Sequence, residues 1–381
     1  MDDPVRAAMK ICIVCYPTHG GSGVVASELA IGLAQKGHEL HIVSYAPPFR
    51  LRAFHQNIFL HEVDVTLYPL FKYPPYELGL ATKLVELAET CDLDIIHAHY
   101  AIPHAASAYL AKQIFNSRRL KTVTTLHGTD ITLVGAEPSF RRVVKFAIEQ
   151  SDGVTAVSHY LQRRTIEEFD IRRDIRVIHN FIELDRPDRN RDGCSRSAFA
   201  PEGEKILMHA SNFRPVKRVG DVVRIFARIR ERIPAKLLMI GDGPDRPHVQ
   251  QMVKELGLVP DVHFLGEQDQ LEPLFFCTDL FLLPSEQESF GLTALEAMNC
   301  SVPVVASDVG GLPEVIVPGE TGYLLPVGDV EGMAAKAVEL LSDPARHSLF
   351  RTQARLRAER HFDGARIIPQ YEAFYEELLK T

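Results

Sequence analysis

The sequence predicts an α/β chain: two doubly wound, Rossmann-like domains whose parallel sheets face each other across a cleft. Three observations lead there. Short apolar runs of strand length alternate with segments of helical periodicity along the whole chain. Most of the runs are near-continuously apolar, the pattern of parallel strands covered on both faces. Finally, 381 residues exceed the roughly 250 to 300 at which a single core stops growing.

In the first half the strand runs are 11–15, 40–44, 94–99, 122–126 and 153–157. In the second half they are 206–209, 236–240, 262–265, 280–283 and 302–306. Of the intervening helices the clearest is 216–233, where Val222, Ile225, Phe226 and Ile229 form an i, i+3, i+4, i+7 stripe. Between the halves, 185–204 is polar, carries Pro187, Gly193, Pro201 and Gly203 and shows no apolar period, so it reads as a linker. The expected domains are therefore 1–185 and 204–362. A final helix within 363–381, apolar at Ile367, Ile368, Tyr371, Phe374, Tyr375 and Leu378, is expected to return to the first domain.

Composition narrows the function. A net charge of −8 argues against a polyanionic partner such as nucleic acid, while leaving room for a local basic pocket. No apolar run approaches the roughly 20 residues that span a bilayer, and the first residues lack signal-peptide architecture, so a cytoplasmic protein without membrane contact is expected. The Cys12-Ile-Val-Cys15 pair falls inside a strand instead of at a helix start and reads as two buried small hydrophobes. Nothing in the sequence fixes the oligomeric state, and a homo-oligomer stays open.

The most informative local pattern is Glu288-Ser-Phe-Gly-Leu-Thr-Ala-Leu-Glu296, an acidic pair at a Gly-containing strand-to-helix junction. On a helix rising ~1.5 Å per residue the two carboxylates would stand up to ~12 Å apart, the scale of an activated sugar. Free N–H groups of a first turn at Phe290, Gly291 and Leu292 would favour a phosphate between them. Glutamates eight apart also arise by chance on exposed helices; the flanking strand runs favour a nucleotide-sugar site.

Other strand ends carry complementary chemistry. After the first strand, Gly20, Gly21 and Gly23 permit a close backbone approach to an anion, and Ser22 is placed to cap the next helix. This loop matches neither the P-loop nor the dinucleotide fingerprint, and a purely structural turn is the alternative. In the second half, Ser211-Asn212-Phe-Arg214-Pro-Val-Lys217 offers a guanidinium fork and a compact ammonium to a diphosphate leaving group. Gly241-Asp-Gly-Pro244 reads as a further close-approach turn. In the first half, His127 before Gly128 is placed to position a sugar hydroxyl, or is an ordinary loop histidine. His97 and His99 share a strand face but lack carboxylates at metal-site spacing, so packing and hydrogen bonding are expected of them.

Together, the Glu288/Glu296 pair, Arg214 with Lys217, the Gly20–Gly23 loop and His127-Gly-Thr-Asp130 resemble the family 4 retaining glycosyltransferases of GT-B fold, over nearly the whole chain. More narrowly, Cys15-Tyr-Pro, Pro48-Phe-Arg50, Phe71-Lys-Tyr-Pro-Pro-Tyr76, Ile96-His-Ala-His-Tyr-Ala-Ile-Pro-His104 and Thr124-Thr-Leu-His127 resemble the branch of that family that glycosylates L-malate on the way to bacillithiol.

The resemblance implies transfer of N-acetylglucosamine from UDP-N-acetylglucosamine to L-malate with retention, without cofactor or metal. It implies that Glu288 holds sugar hydroxyls, Glu296 the ribose, and Arg214 and Lys217 the diphosphate. Asn212 would orient the donor, Gly21 would bring backbone N–H groups to its phosphates, and His127 would steady its sugar. Ser22, Tyr100 and Thr124 match positions that contact malate; apart from the resemblance, a dicarboxylate needs positive charge nearby, which Arg214 or, by proximity alone, Arg50 would supply. Gln287 stands where the family pattern has a Lys. A transferase with another small acceptor, a UDP-sugar epimerase or hydrolase, and a non-catalytic sugar-binding protein are the competing readings.

Overall fold

The computed structural model describes residues 8–18, 20–51, 54–65, 69–135, 137–184 and 195–381. It divides into two compact units, one formed by 1–181 with 364–381 and the other by 182–363.

The first unit is a seven-stranded sheet in which every neighbouring pair is parallel: β1 Lys10–Val14, β2 Glu39–Ser44, β3 Ile58–Glu62, β4 Ile95–His99, β5 Lys121–Leu126, β6 Gly153–Ala156 and β7 Arg176–Val177. The spatial order is β3-β2-β1-β4-β5-β6-β7, so the winding reverses between β1 and β4. The second unit holds β8 Lys205–Ala210, β9 Ala235–Ile240, β10 Val262–Gly266, β11 Leu280–Leu283, β12 Val304–Ser307 and β13 Gly322–Leu325. Its order, β10-β9-β8-β11-β12-β13, reverses between β8 and β11. In doubly wound sheets ligands bind beyond the carboxyl ends of the strands at such reversals.

Burial explains the strand sequences. Ile11, Cys12, Ile13 and Val14 are all fully buried, as are Leu280, Phe281 and Leu282. On one face of the first sheet Cys12, Val14, Ile96 and Ala98 pack with Leu80, Leu84 and Ala108 from covering helices. In the second unit Leu207, Leu237, Met239 and Leu282 meet Val222, Phe226, Ala337 and Phe350. Cys12 and Cys15 are free and buried, and burial pushes the Cys15 thiol up to about 12.

Several elements differ from the sequence expectation. Strands β3, β7 and β13 were not expected. All three lie at sheet edges, and β3 is half-exposed where a continuous apolar run was sought. The helix expected over 216–233 spans Val219–Arg230, because Pro215–Lys217 forms a separate turn and Arg218 takes a left-handed φ of 49°. Of the expected linker, 185–194 lie outside the described residues. The rest belongs to the second unit: a short helix Arg196–Phe199 is tied down where Arg196 donates to the Cys277 carbonyl (2.6 Å) and to Asp279 (2.8 Å).

The final helix, Gly364–Leu379, belongs to the first unit. Its Tyr375 hydroxyl bonds His97 Nδ1 (2.7 Å), and its Glu372 meets His38 (3.1 Å) and Lys36 (2.9 Å). Among the described residues no helix is long and apolar enough to cross a membrane.

Candidate active site

In the second unit the reversal between β8 and β11 gathers the expected donor-side residues. The chain leaves β8 through Ser211 and Asn212, and Phe213, fully buried at a left-handed φ of 37°, pins the loop to the core. That anchor leaves Asn212 and Arg214 exposed on either side of it. Beyond Pro215, Lys217 reaches Glu288, with Nζ donating to Oε1 at 2.7 Å. Fully buried Ser285 donates to the same oxygen (2.9 Å). Two donors on one carboxylate oxygen fix the orientation of Glu288, a charge-assisted arrangement on the Lys217 side.

Glycines fix the backbone beneath this carboxylate. Gly310 has φ +60°, and a Cβ there would lie 1.8 Å from the Glu288 carbonyl oxygen; one at Gly311 would lie 2.4 Å from that of Ser289. The Gly311 N–H bonds the Glu288 carbonyl (3.0 Å). On the other side, a Cβ at Gly241 would meet the Ser211 carbonyl at 1.8 Å and one at Gly243 that of Asn212 at 2.1 Å. The Gly241–Pro244 turn thus makes its close approach to protein backbone, seating the Asn212 loop.

The helix at this junction is Leu292–Asn299, with Gly291 (φ 94°) as its cap residue. Glu288 therefore lies in the loop before the helix, not on it, and only Glu296 is helical. The shift arises because Gly291 must turn left-handed: a Cβ there would lie 2.4 Å from Leu312. Gly291 supplies no side-chain cap, so the opening turn at Leu292 presents its N–H groups without one. Phe290 is buried against Phe362 (centroids 5.6 Å apart) and can offer a ligand only its backbone. Glu296 is half-buried.

In the first unit the reversal between β1 and β4 sets two residues against each other. Gly21 opens the helix Gly21–Gln35, whose cap residue is Gly20, so Ser22 lies inside the first turn and does not cap it as expected. Instead its hydroxyl accepts from the Tyr100 hydroxyl at 2.8 Å. Gly23 is required here, since a Cβ would fall 2.5 Å from the Thr18 carbonyl. Tyr100 leaves β4 at φ 91° and stacks obliquely near Tyr16 (5.6 Å) and His127 (5.2 Å). Arg50 approaches buried Glu28 at 3.7 Å.

Thr124 is not brought to this group. It stands beside Ala98, on the sheet face opposite His97, His99 and Thr125, and its hydroxyl bonds Ser151 (2.7 Å).

His127 follows β5 and is held from two directions. Asp130 Oδ1 accepts the N–H of His127 (3.3 Å) and of Gly128 (2.9 Å), and Oδ2 that of Ala101 (3.0 Å). The ring pairs with His99, Nε2 to Nδ1, at 2.8 Å. Burial holds the imidazoles neutral: His127 and His97 are pushed down to about 3 and His104 to about 4. Burial raises the Asp130 carboxyl to about 6 although its three N–H bonds oppose the rise.

Sequence reasoning missed Ser285, His209 and the Gly310-Gly311 pair. His209 donates through Nδ1 to the Leu282 carbonyl (2.8 Å) and accepts from Ser211 at Nε2 (2.8 Å), with burial lowering it to about 4. For the glycine pair, a Gly-Gly four residues beyond the strand run 302–306 was the available signal.

Comparison with known proteins identifies the family. Residues 19–186 match the model described as Glycosyltransferase Family 4, and 191–357 that of Glycosyl transferases group 1. The chain is 50% identical over 374 residues, 98% of each chain, to N-acetyl-alpha-D-glucosaminyl L-malate synthase of Bacillus anthracis. It is 29% identical to D-inositol 3-phosphate glycosyltransferase of Mycobacterium marinum, covering 86% of this chain and 74% of the relative. Among solved structures, a glycosyltransferase from Rickettsia africae superposes with TM-score 0.80 at 22% identity, over 98% of this chain and 99% of that one. Anabaena HepE in complex with UDP and glucose gives 0.79 at 21%, over 97% and 99%. Two parallel-sheet units of matching order, a lysine–glutamate pair at the second reversal, and half the sequence shared end to end with a named relative place this chain in the family 4 glycosyltransferases, enzymes of GT-B fold.

Proposed function

We propose that the enzyme moves N-acetylglucosamine from UDP-N-acetylglucosamine to the hydroxyl of L-malate with retention, the first step toward bacillithiol, in the cytoplasm. The observation that carries this is the 50% identity over 98% of both chains to the malate synthase.

In this reading the second unit binds the donor. Lys217 and Arg214 neutralise the diphosphate, the backbone at Phe290, Gly291 and Leu292 receives its oxygens, and Gly21 adds N–H groups. Asn212 orients the donor, Glu296 takes the ribose and Glu288 the sugar hydroxyls. The paired Lys217 and Ser285 leave Glu288 an acceptor of hydrogen bonds, not a free nucleophile. Double displacement through an enzyme carboxylate is therefore disfavoured. The malate hydroxyl instead attacks C1 on the face from which UDP departs, as the C1–O bond to phosphate breaks. Its proton passes to the leaving phosphate oxygen, while fixed cations stabilise the charge that develops. Ser22 and Tyr100 contact malate, and Thr124 supports their sheet from its other face.

The test is turnover of UDP-N-acetylglucosamine with a panel of hydroxy acids, products identified by mass and by anomeric NMR. An α-linked malate product is expected. UDP release indifferent to malate would indicate a hydrolase, a 2-epimer an epimerase, and preference for another acceptor a different transferase; each would overturn the proposal.

A further inference from the structure

The rings of His99 and His127 share a single hydrogen, and its position decides what His127 can do. His99 Nδ1 and His127 Nε2 lie 2.8 Å apart, with the rings stacked at 5.0 Å. Burial and the neighbouring imidazoles keep both rings neutral, so one facing nitrogen donates and the other accepts.

The far side of His99 breaks the symmetry. Its Nε2 is fully buried and has no hydrogen-bond partner among the described residues. A hydrogen placed there would strand a buried N–H, at a cost of about 1–3 kcal/mol. An unmet lone pair is the better tolerated orphan. The hydrogen of His99 therefore sits on Nδ1, facing His127.

We propose that His99 is a positioning residue: by donating Nδ1–H to His127 Nε2, it fixes His127 in the tautomer that carries its hydrogen on Nδ1. With Nε2 occupied, Nδ1 is the one ring nitrogen His127 has for a substrate, and it arrives as a donor. His127 thus gives a hydrogen bond to a substrate oxygen and has no lone pair with which to take the proton of an attacking hydroxyl.

The surroundings keep the pair in register. The His104 Nδ1–H holds the His99 carbonyl (2.5 Å), and His97, its ring 4.5 Å from that of His99, is bonded by Tyr375 (2.7 Å) and Thr125 (2.7 Å). Asp130 fixes the backbone of His127 (3.3 Å) independently of its ring.

The catalytic consequence rests on His127 contacting the donor sugar, whereas the tautomer itself does not. The test begins with two-bond ¹H–¹⁵N spectra of ¹⁵N-histidine-labelled enzyme without substrate, His127 being assigned by its loss in His127→Gln. Wild type is expected to show His127 protonated at Nδ1 and bare at Nε2. His99→Asn sets an amide N–H near the original donor, and is expected to keep that tautomer and kcat within about fivefold. His99→Asp offers only acceptors; it should move the hydrogen of His127 to Nε2 and lower kcat about 10²-fold, with the donor KM nearly unchanged.

A wild-type spectrum with hydrogen on His127 Nε2 overturns the assignment. Equal losses of kcat in the Asn and Asp variants, in step with their melting temperatures, overturn it in favour of packing. A switched tautomer with undiminished kcat leaves the hydrogen where we place it but removes His127 from the reaction, and with it the positioning role.

Discussion

Lys217 Nζ lies 2.7 Å from Glu288 Oε1, joining the turn after β8 to the loop after β11. In the proposed reaction the cation that neutralises the diphosphate would thereby also clamp the carboxylate that meets the sugar. Lys217→Ala removes both functions, and kcat/KM for the UDP-sugar is expected to fall about 10²- to 10³-fold. Lys217→Arg restores charge but not a compact donor, so it should recover only part of the loss. Steady-state kinetics with circular dichroism as a folding control measure this.

The glycine beneath Glu288 is expected to be as intolerant as the carboxylate itself. Gly310→Ala forces a Cβ to within 1.8 Å of the Glu288 carbonyl at φ +60°, so stability should fall by about 3 kcal/mol or more and activity with it. Gly257→Ala is the control: its φ is +69° but nothing lies within 4 Å, which leaves only the left-handed penalty of about 1 kcal/mol. Urea denaturation compares them.

Tyr100 and Ser22 should behave as one unit toward the acceptor. Tyr100→Phe and Ser22→Ala each break the 2.8 Å bond between them, and each is expected to raise the malate KM several-fold. The double variant should be little worse than either, the signature of a shared contact. Thr124→Val, which breaks the bond to Ser151 (2.7 Å), should lower the melting temperature and leave the malate KM unchanged.

Acid should destabilise the fold through its neutral histidines. His97, His104, His127 and His209 lie at about 3 to 4 when folded, below the unfolded value of about 6.5. Below pH 6.5 the unfolded chain binds protons that the folded chain refuses. Their neutral packing therefore costs nothing above pH 6.5, and stability declines as pH falls toward 4. By pH 5 each contributes a loss of about 2 kcal/mol. Asp130 works in the opposite sense: with its folded value raised to about 6, it favours the folded state at low pH and withdraws that support as pH rises from about 4 to 6. His104→Asn keeps a donor for the His99 carbonyl and should flatten the decline by one histidine's share, read from unfolding midpoints at pH 7 and 5.

In the proposed reaction Arg214, Lys217 and backbone N–H groups would supply the positive field at the diphosphate, so turnover should be unchanged by EDTA. Activity abolished by chelation and restored by Mg²⁺ would contradict that assignment.

The pattern of the sequence disclosed the strands that lie inside both sheets, since their runs are almost wholly buried and mostly apolar or β-branched. It did not disclose β3, whose Phe59 and Leu60 are exposed at an edge, or β7, only two residues long. Arg214, Lys217 and Glu288 were legible because charged residues interrupt apolar patterns beyond strand ends, and Glu296 by its spacing from Glu288. Ser285, His209 and Gly310 were not, because their roles depend on which strand neighbours which: β8 and β11 are adjacent in space but separated in sequence by two strands. Thr124 illustrates the limit of one-residue precision, since in a strand the next residue faces the opposite side of the sheet.

Tyr375 reaches His97 from a helix that follows the whole second unit in sequence. During synthesis, then, the module begun at β1 is finished only after the second: all of 182–363 leaves the ribosome before the aromatic lid of the first sheet exists. Until that lid arrives, His97 waits without its phenol and one flank of β4 stays uncovered, so a nascent chain stalled before Gly364 should engage chaperones through its earliest segment, however well the later one has folded.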